Sequence, residues 1–203
     1  MEVRTISLSP IFANSYLLIN GKEAILFDPG FNGGHELESI ITSEGLNLLG
    51  IFLTHGHFDH FYGLTNWDKK AMPPIFCPSL DMDAFPNPDK NVSAMFLGKG
   101  LRFDINAYPL EDEDEVRLGS FIIKVIATPY HTSGSSCFYV KEANALFSGD
   151  SLFAGGYGRS DLPSGDPSLM PESLNKLSKL PKDTVVYPGH GPKTTIKDEF
   201  GTK

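Results

Sequence analysis

The chain has 203 residues, of which 40% are hydrophobic and 21% are charged. This composition excludes a disordered or fibrous protein, and the length fits a single domain, residues 1–203, with a core of its own. The formal net charge of -8 argues against nucleic acid and membrane surfaces as partners, because both bind clustered lysine and arginine.

The first half of the chain predicts antiparallel strands followed by one helix. Apolar runs at 15–19 and 24–27 flank Asn20-Gly21, a dipeptide that closes hairpins. Apolar residues at helical spacing predict a helix over 36–43. A further apolar run predicts a strand over 48–53.

The two cysteines, Cys77 and Cys137, form no Cys-x-x-Cys pair, which is typical of a reducing compartment. One disulfide between them stays open at this point. The N-terminal apolar stretch is interrupted by Ser9, Pro10 and Asn14, unlike a signal peptide, and no apolar run approaches the roughly 20 residues of a membrane span. We therefore expect a cytoplasmic protein.

Residues 71–110 contain six prolines, so we expect loops with short elements there. Regular patterns return afterwards, and they indicate a second sheet with one helix. In chain order, the expected elements are strands at 120–127, 137–140 and 145–147, a long glycine-rich loop at 150–166, a helix at 167–180, and a last strand at 184–187.

Histidines and an aspartate cluster directly after the strand predicted at 48–53. In an extended segment, residues two apart point the same way, so His55 and His57 can present their imidazoles to one ion. If a helix begins at Phe58, Asp59 and His60 lie on its first turn and can face a second ion. Such a cluster has little structural use, and we interpret it as a metal site.

Three further positions of ligand type each follow an apolar run: His131, Asp150 and His190. Each of them alone could be a plain turn residue. Together with the cluster they complete two metal sites. His35 lies outside this pattern, and we interpret it as a surface or hydrogen-bonded histidine.

The order of these residues, with an intact His-x-His-x-Asp-His run, resembles the metallo-β-lactamase superfamily over nearly the whole chain. The resemblance implies an α/β (α+β) fold, a four-layer αββα sandwich with metals in a groove along one edge of the two sheets. It implies two divalent metal ions, typically zinc, with iron or manganese as alternatives. The implied ligands are His55, His57 and His131 for one metal, Asp59, His60 and His190 for the other, and Asp150 as the bridge.

Residues 147–153, followed by Gly158-Arg159-Ser160-Asp161, are similar to the glyoxalase II (hydroxyacylglutathione hydrolase) branch, which hydrolyses glutathione thioesters. Full glyoxalase II enzymes continue into a helical domain with glutathione contacts, whereas this chain stops at Lys203. We therefore expect a short branch that keeps the metal chemistry and hydrolyses hydroxyacylglutathione-like or related small-molecule thioesters or esters. The missing domain argues against S-lactoylglutathione itself as the preferred substrate. We expect a monomer or a small homo-oligomer.

The expected mechanism uses water rather than a side chain as the nucleophile. Two metals that share a water lower its pKa from about 15.7 toward 7, which produces a metal-bridging hydroxide. Asp59 and Asp150 are the expected catalytic carboxylates, with Asp150 fixing the metal spacing. No Gly-x-Ser-x-Gly elbow is present, and Cys137 has no identifiable partner, so covalent catalysis is a weak alternative.

Substrate contacts are expected from the glycine-rich loop. Arg159 and Tyr157 could bind the substrate, although a salt bridge of Arg159 with Asp161 or Asp166 fits the sequence equally well. The resemblance also places Asp28 at a recurring acidic position, where it either orients a metal ligand or caps a turn.

Other functions remain open from the sequence. A mononuclear iron dioxygenase acting on glutathione persulfide needs only two histidines and one carboxylate, but His190 completes a second site here and favours the hydrolase. A metal-binding protein without catalysis is a further alternative. Lactam hydrolysis ranks low, because secreted lactamases need an export signal and usually lack an acid at the position of Asp59.

Overall fold

The computed structural model describes residues 1–6, 13–30, 34–67 and 72–201, without the side chains of residues 34–36 and 66. In this part of the chain, two six-stranded mixed sheets have neighbouring strands in chain order. The first sheet contains β1 (Glu2–Ile6), β2 (Ser15–Asn20), β3 (Glu23–Phe27), β4 (Asn47–Phe52), β5 (Ile75–Pro78) and β6 (Ala107–Leu110). The second contains β7 (Glu115–Leu118), β8 (Phe121–Ala127), β9 (Ser136–Val140), β10 (Ala145–Gly149), β11 (Val185–Pro188) and β12 (Thr194–Thr195).

Each sheet buries apolar side chains on both of its faces. Successive side chains of a strand point to opposite sides, so alternate residues belong to different cores. In β3, Phe27 faces the core between the sheets, and Leu26 faces the outer side. Aromatic rings fill the inner core. The rings of Phe27 and Phe147 stack with their centroids 3.7 Å apart, and Phe52 meets Phe138 edge to face at 5.2 Å.

Helices cover the outer face of each sheet. Leu37 and Ile41 pack α1 (Gly34–Ser43) against the first sheet. Leu177 of α3 (Met170–Ser178) and Ile196 of α4 (Ile196–Phe200) pack against the second. The remaining helices are α2 (Ser93–Leu97) and 3-10 turns at Phe58–His60, Tyr62–Asn66, Ser79–Ala84, Lys141–Ala143 and Pro167–Leu169. The expected four-layer αββα sandwich is confirmed.

Most predicted elements are present, with shifts at their ends. Asn20 pairs with Glu23, so the hairpin turn consists of Gly21 and Lys22, one residue later than expected. Gly21 has a φ of 63°, a left-handed conformation that glycine adopts without strain. The strand expected at 184–187 is not the last, because β12 and α4 follow it; both are too short to show periodicity.

Strand β1 was not predicted from the sequence. It pairs antiparallel with β2 at the edge of the first sheet, with Glu2 opposite Ile19 and Arg4 opposite Leu17. Charged residues on an edge strand prevent pairing with other chains, and they also interrupt the apolar alternation by which strands are recognised. None of the described helices has both the length and the hydrophobicity that a membrane span needs. Cys77 and Cys137 are buried and free, so the disulfide left open by the sequence is not formed.

Candidate metal centre

The ligand-type residues come together because parallel strands end at the same edge of a sheet. Strand β4 runs parallel to β3, and β11 runs parallel to β10. The residues after these strands therefore meet in a groove along one edge of the sandwich, the usual place for ligands in sheets of this kind. Residues 54–60 follow β4, Asp150 follows β10, and His190 follows β11. His131 follows β8 and completes the group.

Three histidines form the first group of candidate ligands. Nδ1 of His57 lies 3.1 Å from Nε2 of His55 and 3.0 Å from Nε2 of His131, and all three side chains are buried. Around one tetrahedral ion with bonds of about 2.0–2.1 Å, ligand nitrogens lie about 3.3 Å apart. The observed separations therefore suit a single cation that all three nitrogens share.

The hydrogen bonds made by Nδ1 of His131 and of His55 determine which ring nitrogen carries the proton. Nδ1 of His131 lies 2.6 Å from the Arg159 carbonyl, which can only accept, so this nitrogen carries the proton. Nδ1 of His55 lies 3.1 Å from the Thr54 hydroxyl, whose own proton goes to Asp28 at 2.7 Å. In both rings the lone pair is therefore on Nε2, which faces the shared point.

Burial keeps His55 and His57 neutral. It lowers the pKa of His57 to about 3 and, together with the neighbouring charge of His60, lowers the pKa of His55 well below its ordinary value. Metal ions bind the neutral imidazole, so these shifts remove the competition with protons at neutral pH.

The second group consists of Asp59, His60 and His190. An Asp59 carboxylate oxygen lies 3.2 Å from Nε2 of His190 and 3.9 Å from Nε2 of His60. Asp59 and His60 lie on the 3-10 turn Phe58–His60, which takes the place of the helix considered from the sequence.

Asp150 lies between the two groups and turns one oxygen to each. Its Oδ1 is 3.3 Å from Nε2 of His60, and its Oδ2 is 3.5 Å from Nε2 of His131. Burial alone would raise the pKa of this carboxyl, but the positive charge of His60 holds the pKa well below its usual range. Asp150 is therefore an anion positioned to bridge two cations.

Unpartnered buried atoms indicate that cations fit these groups. Within the described residues, Nε2 of His60 and Oδ1 of Asp150 are buried without a hydrogen-bond partner, which costs about 1–3 kcal/mol for each group. A cation between them would satisfy both. A Cβ added at Gly189 would lie 2.3 Å from Oδ1 of Asp150 and 2.7 Å from Cε1 of His60, so only glycine leaves this space open.

Asp28 orients the second group through His60. Its Oδ2 accepts from Nδ1 of His60 at 2.9 Å, and its Oδ1 accepts from the Thr54 backbone N–H at 2.8 Å. The residue has a φ of 46°, an uncommon backbone conformation for a residue other than glycine. Of the two interpretations from the sequence, the contacts favour the orientation of a metal ligand.

Replacing Asp28 with asparagine should weaken metal binding at the second group about 10- to 100-fold, as is typical when the hydrogen-bond partner of a ligand is removed. An amide has only one acceptor oxygen, so it cannot serve both His60 and Thr54. Titration of the metal-free protein with Zn²⁺ measures the change. Asp89→Asn, at an exposed carboxylate, is the matched control, and equal affinities of the two variants would contradict the role of Asp28.

Asp81 joins the two loops that carry the first group, and sequence reasoning missed it. It is buried and accepts from the Gly56 N–H at 2.8 Å, the Thr132 hydroxyl at 2.6 Å and the Gly134 N–H at 2.8 Å. Burial raises the pKa of Asp81, and these donors oppose part of the rise. The carboxylate thereby ties the loop of His57 to the residues after β8.

Asn14 and Tyr16, also missed, hold the loop that carries His190. The Asn14 amide donates to the carbonyls of Pro188 at 3.1 Å and Gly191 at 2.9 Å, and the Tyr16 hydroxyl donates to the Pro188 carbonyl at 2.5 Å. The signal available in the sequence was weak, because both residues precede or begin an apolar run far from residue 190.

Tyr130, for which the sequence indicated no role, fixes the start of the glycine-rich loop. Its side chain is buried, and its hydroxyl donates to the Ser151 carbonyl, one residue after Asp150. Burial raises the pKa of this phenol, so it stays protonated as a donor. The Asp166 N–H donates to the Tyr130 carbonyl at 2.9 Å, so one residue holds both ends of the loop.

Replacing Tyr130 with phenylalanine should lower stability by about 1–3 kcal/mol, because the buried Ser151 carbonyl loses its donor. For a chain of this length the melting temperature should fall by roughly 2–4 °C per kcal/mol. Thermal unfolding followed by circular dichroism measures the effect. Tyr108→Phe, at a ring that is 61% exposed, is the control. An equal melting temperature in both variants would show that the hydrogen bond from Tyr130 to Ser151 does not stabilise the fold.

The candidate substrate residues differ in their positions. Arg159 lines a cleft of about 420 Å3 above the candidate metal ligands, but its guanidinium forms two bonds of 2.7 Å to Asp161. Of the salt bridges considered from the sequence, the structure shows the one with Asp161. Tyr157 is 51% exposed and does not line the described cleft. The side chain of His35 lies outside the described residues.

The family model described as "Metallo-beta-lactamase superfamily" matches residues 8–190. The chain belongs to this superfamily. A probable metallo-hydrolase of Bacillus subtilis, YqgX, is 36% identical over 200 residues, which make up 98% of this chain and 94% of that protein. A hydroxyacylglutathione hydrolase of Brucella anthropi is 38% identical over 154 residues, 76% of this chain and 52% of that enzyme.

Solved structures of the superfamily superpose closely on this chain. The B3 metallo-beta-lactamase BLEG-1 has a TM-score of 0.91 at 36% identity, covering 97% of this chain and 95% of that one. TTHA1623, crystallised in a di-iron-bound form, has a TM-score of 0.83 at 35% identity and covers 96% of both chains. The metallo-β-lactamase fold expected from the sequence is thus confirmed.

Proposed function

We propose that this member of the superfamily hydrolyses small-molecule thioesters or related esters with two divalent metal ions. The position of Asp150 carries the proposal. Its two oxygens point to different ligand groups, at 3.3 Å from His60 and 3.5 Å from His131. His55, His57 and His131 would hold the first ion, and Asp59, His60 and His190 would hold the second.

The two ions would supply Lewis acidity and lower the pKa of water toward about 7. In the reaction, a C–O bond forms between water and the carbonyl carbon, the C–S bond breaks, and a proton from water goes to the departing thiolate. The residues of the chain orient the ligands and supply negative charge for this step. Asp28 and Thr54 fix the ring of His60, and Asp150 holds a negative charge between the two groups.

Zinc is our proposed metal, with iron or manganese as alternatives. Histidine nitrogen and carboxylate oxygen suit all three ions, so the ligand set does not select one. The di-iron form of TTHA1623, at 35% identity, supports iron as the first alternative.

Thioesters are the proposed substrates because of the identity to hydroxyacylglutathione hydrolase, 38% over 154 residues. The second candidate is β-lactam hydrolysis, which ranked low from the sequence. It is favoured by the 36% identity to BLEG-1, whose structure covers 97% of this chain. A mononuclear iron dioxygenase would need fewer ligands than the seven grouped here, so it ranks below both hydrolases.

The test measures hydrolysis of S-lactoylglutathione, the acetyl thioester of N-acetylcysteamine and the lactam nitrocefin by zinc-, iron- and manganese-loaded protein. Oxygen uptake with glutathione persulfide is measured on the same samples. We expect hydrolysis of at least one thioester that chelation abolishes and metal restores. If nitrocefin is hydrolysed and neither thioester is, the protein is a β-lactamase rather than a thioesterase. Oxygen uptake with glutathione persulfide, without hydrolysis, would replace it by the dioxygenase.

A further inference from the structure

We infer that the cleft selects thioesters with an uncharged hydrocarbon acyl chain, such as octanoyl, held by an apolar wall beside the metal ligands. The inference rests on the proposed function and adds the substrate class. The wall consists of the side chains of Phe58, Val92, Phe96, Leu97, Phe153 and Leu162.

The wall includes two large apolar side chains that solvent reaches. Phe96 is 56% exposed and Leu97 is 38% exposed, and both belong to α2 at the cleft. Exposed apolar groups that border a cavity are a mark of ligand-binding surfaces. At about 420 Å3 the cleft is within the usual range for small molecules.

The exposure of α2 is not the result of a loosely attached segment. The Asn91 amide donates to the carbonyls of Ala84 and Leu101, both at 3.1 Å. The Asn91 carbonyl accepts from the Phe58 N–H at 3.0 Å, next to the metal ligands. Asn91 thus fixes the segment before α2 on the ligand loop, with Phe96 and Leu97 still exposed.

Backbone strain at Val92 also favours a binding role for this wall. Val92 precedes α2 with a φ of 58°, a conformation that a β-branched residue adopts only when its surroundings enforce it. The strained residue is itself buried in the wall. Strain of this kind is concentrated at functional sites.

The described lining of the cleft offers an anionic substrate group no unpaired cationic side chain. Among the described residues that line it, Arg159 is the only lysine or arginine, and Asp161 neutralises it through two bonds of 2.7 Å. The carboxylates of a glutathione moiety would therefore find no free cation in this lining.

The test compares zinc-loaded protein on octanoyl and acetyl thioesters of N-acetylcysteamine, which share a neutral thiol, and on S-lactoylglutathione. The kcat/KM for octanoyl should exceed that for acetyl about 30-fold or more, since even one methylene in an apolar pocket is worth about 10-fold. In Phe96→Ala, kcat/KM for octanoyl should fall about 10-fold more than for acetyl. Met95→Ala is the matched control, because Met95 is 61% exposed on the same helix but does not line the cleft.

The outcomes separate this inference from the proposed function. A preference for the octanoyl thioester that Phe96→Ala reduces and Met95→Ala preserves would support acyl-chain binding by the apolar wall. Hydrolysis of the acetyl and octanoyl thioesters at similar rates, or a preference for S-lactoylglutathione, would contradict acyl-chain selection by the wall. The proposed thioesterase activity would still hold. Equal loss of selectivity in both variants would also overturn it. Two bound metals without hydrolysis of any thioester would end the proposed function, and the inference with it.

Discussion

Replacing Asp150 with asparagine should lower turnover by at least about 1,000-fold, because a single electrostatic interaction at a reacting site is worth about 10²–10³ in kcat and this carboxylate serves both proposed metal ions. The amide keeps the shape of the side chain, but it loses the negative charge and one of the two acceptor oxygens. These oxygens point at His60 and at His131, so both ligand groups lose a partner. We expect less than two equivalents of zinc to remain bound.

Turnover of a thioester and elemental analysis of the same sample measure both effects. Asp183→Asn is the control, since this exposed carboxylate lies before β11, at the strand end opposite to His190. A variant at Asp150 that keeps two metals and wild-type turnover would refute the bridging role.

Replacing Asp81 with alanine should destabilise the protein by about 3 kcal/mol or more, because each buried donor left without an acceptor costs about 1–3 kcal/mol. Gly56, Thr132 and Gly134 would all lose their partner. The melting temperature should fall by roughly 6–12 °C for a chain of this length. The first metal should also bind more weakly, because the loops of His57 and His131 are no longer tied together.

Thermal unfolding and zinc titration test this prediction. Asp83→Ala is the matched control on the same 3-10 turn. Asp83 is exposed and pairs with Lys90 at the surface, so its loss should change stability by less than about 1 kcal/mol. If Asp81→Ala does not fold, Asp81→Asn should show a smaller shift in the same direction. Equal melting temperatures of the Asp81 and Asp83 variants would contradict the role of Asp81 in joining the loops of His57 and His131.

That the candidate ligands lie together could be predicted because their signals are local. Each histidine or aspartate stands directly after an apolar run, and the carboxyl ends of parallel strands meet at one edge. The spacing of His55 and His57 placed both on one face of an extended segment. The pairing of β10 with β11 then brought Asp150 and His190 together, as their positions at strand ends indicated.

The supporting residues could not be predicted because their partners are distant in the chain. Asp81 lies 25 residues from Gly56 and 53 from Gly134, within a proline-rich stretch that shows no periodicity. Asn14 binds residues 174 and 177 positions away. Contacts of this kind depend on how the two sheets pack, and a single sequence carries no direct signal for them.

The most direct test of the two-metal site is the metal content of the purified protein, measured by elemental analysis before and after chelation and reloading. The arrangement of the ligand groups on either side of Asp150 predicts about two divalent ions per chain, lost together with thioester hydrolysis and restored with it. One ion or none after reloading, with hydrolysis intact, would contradict it.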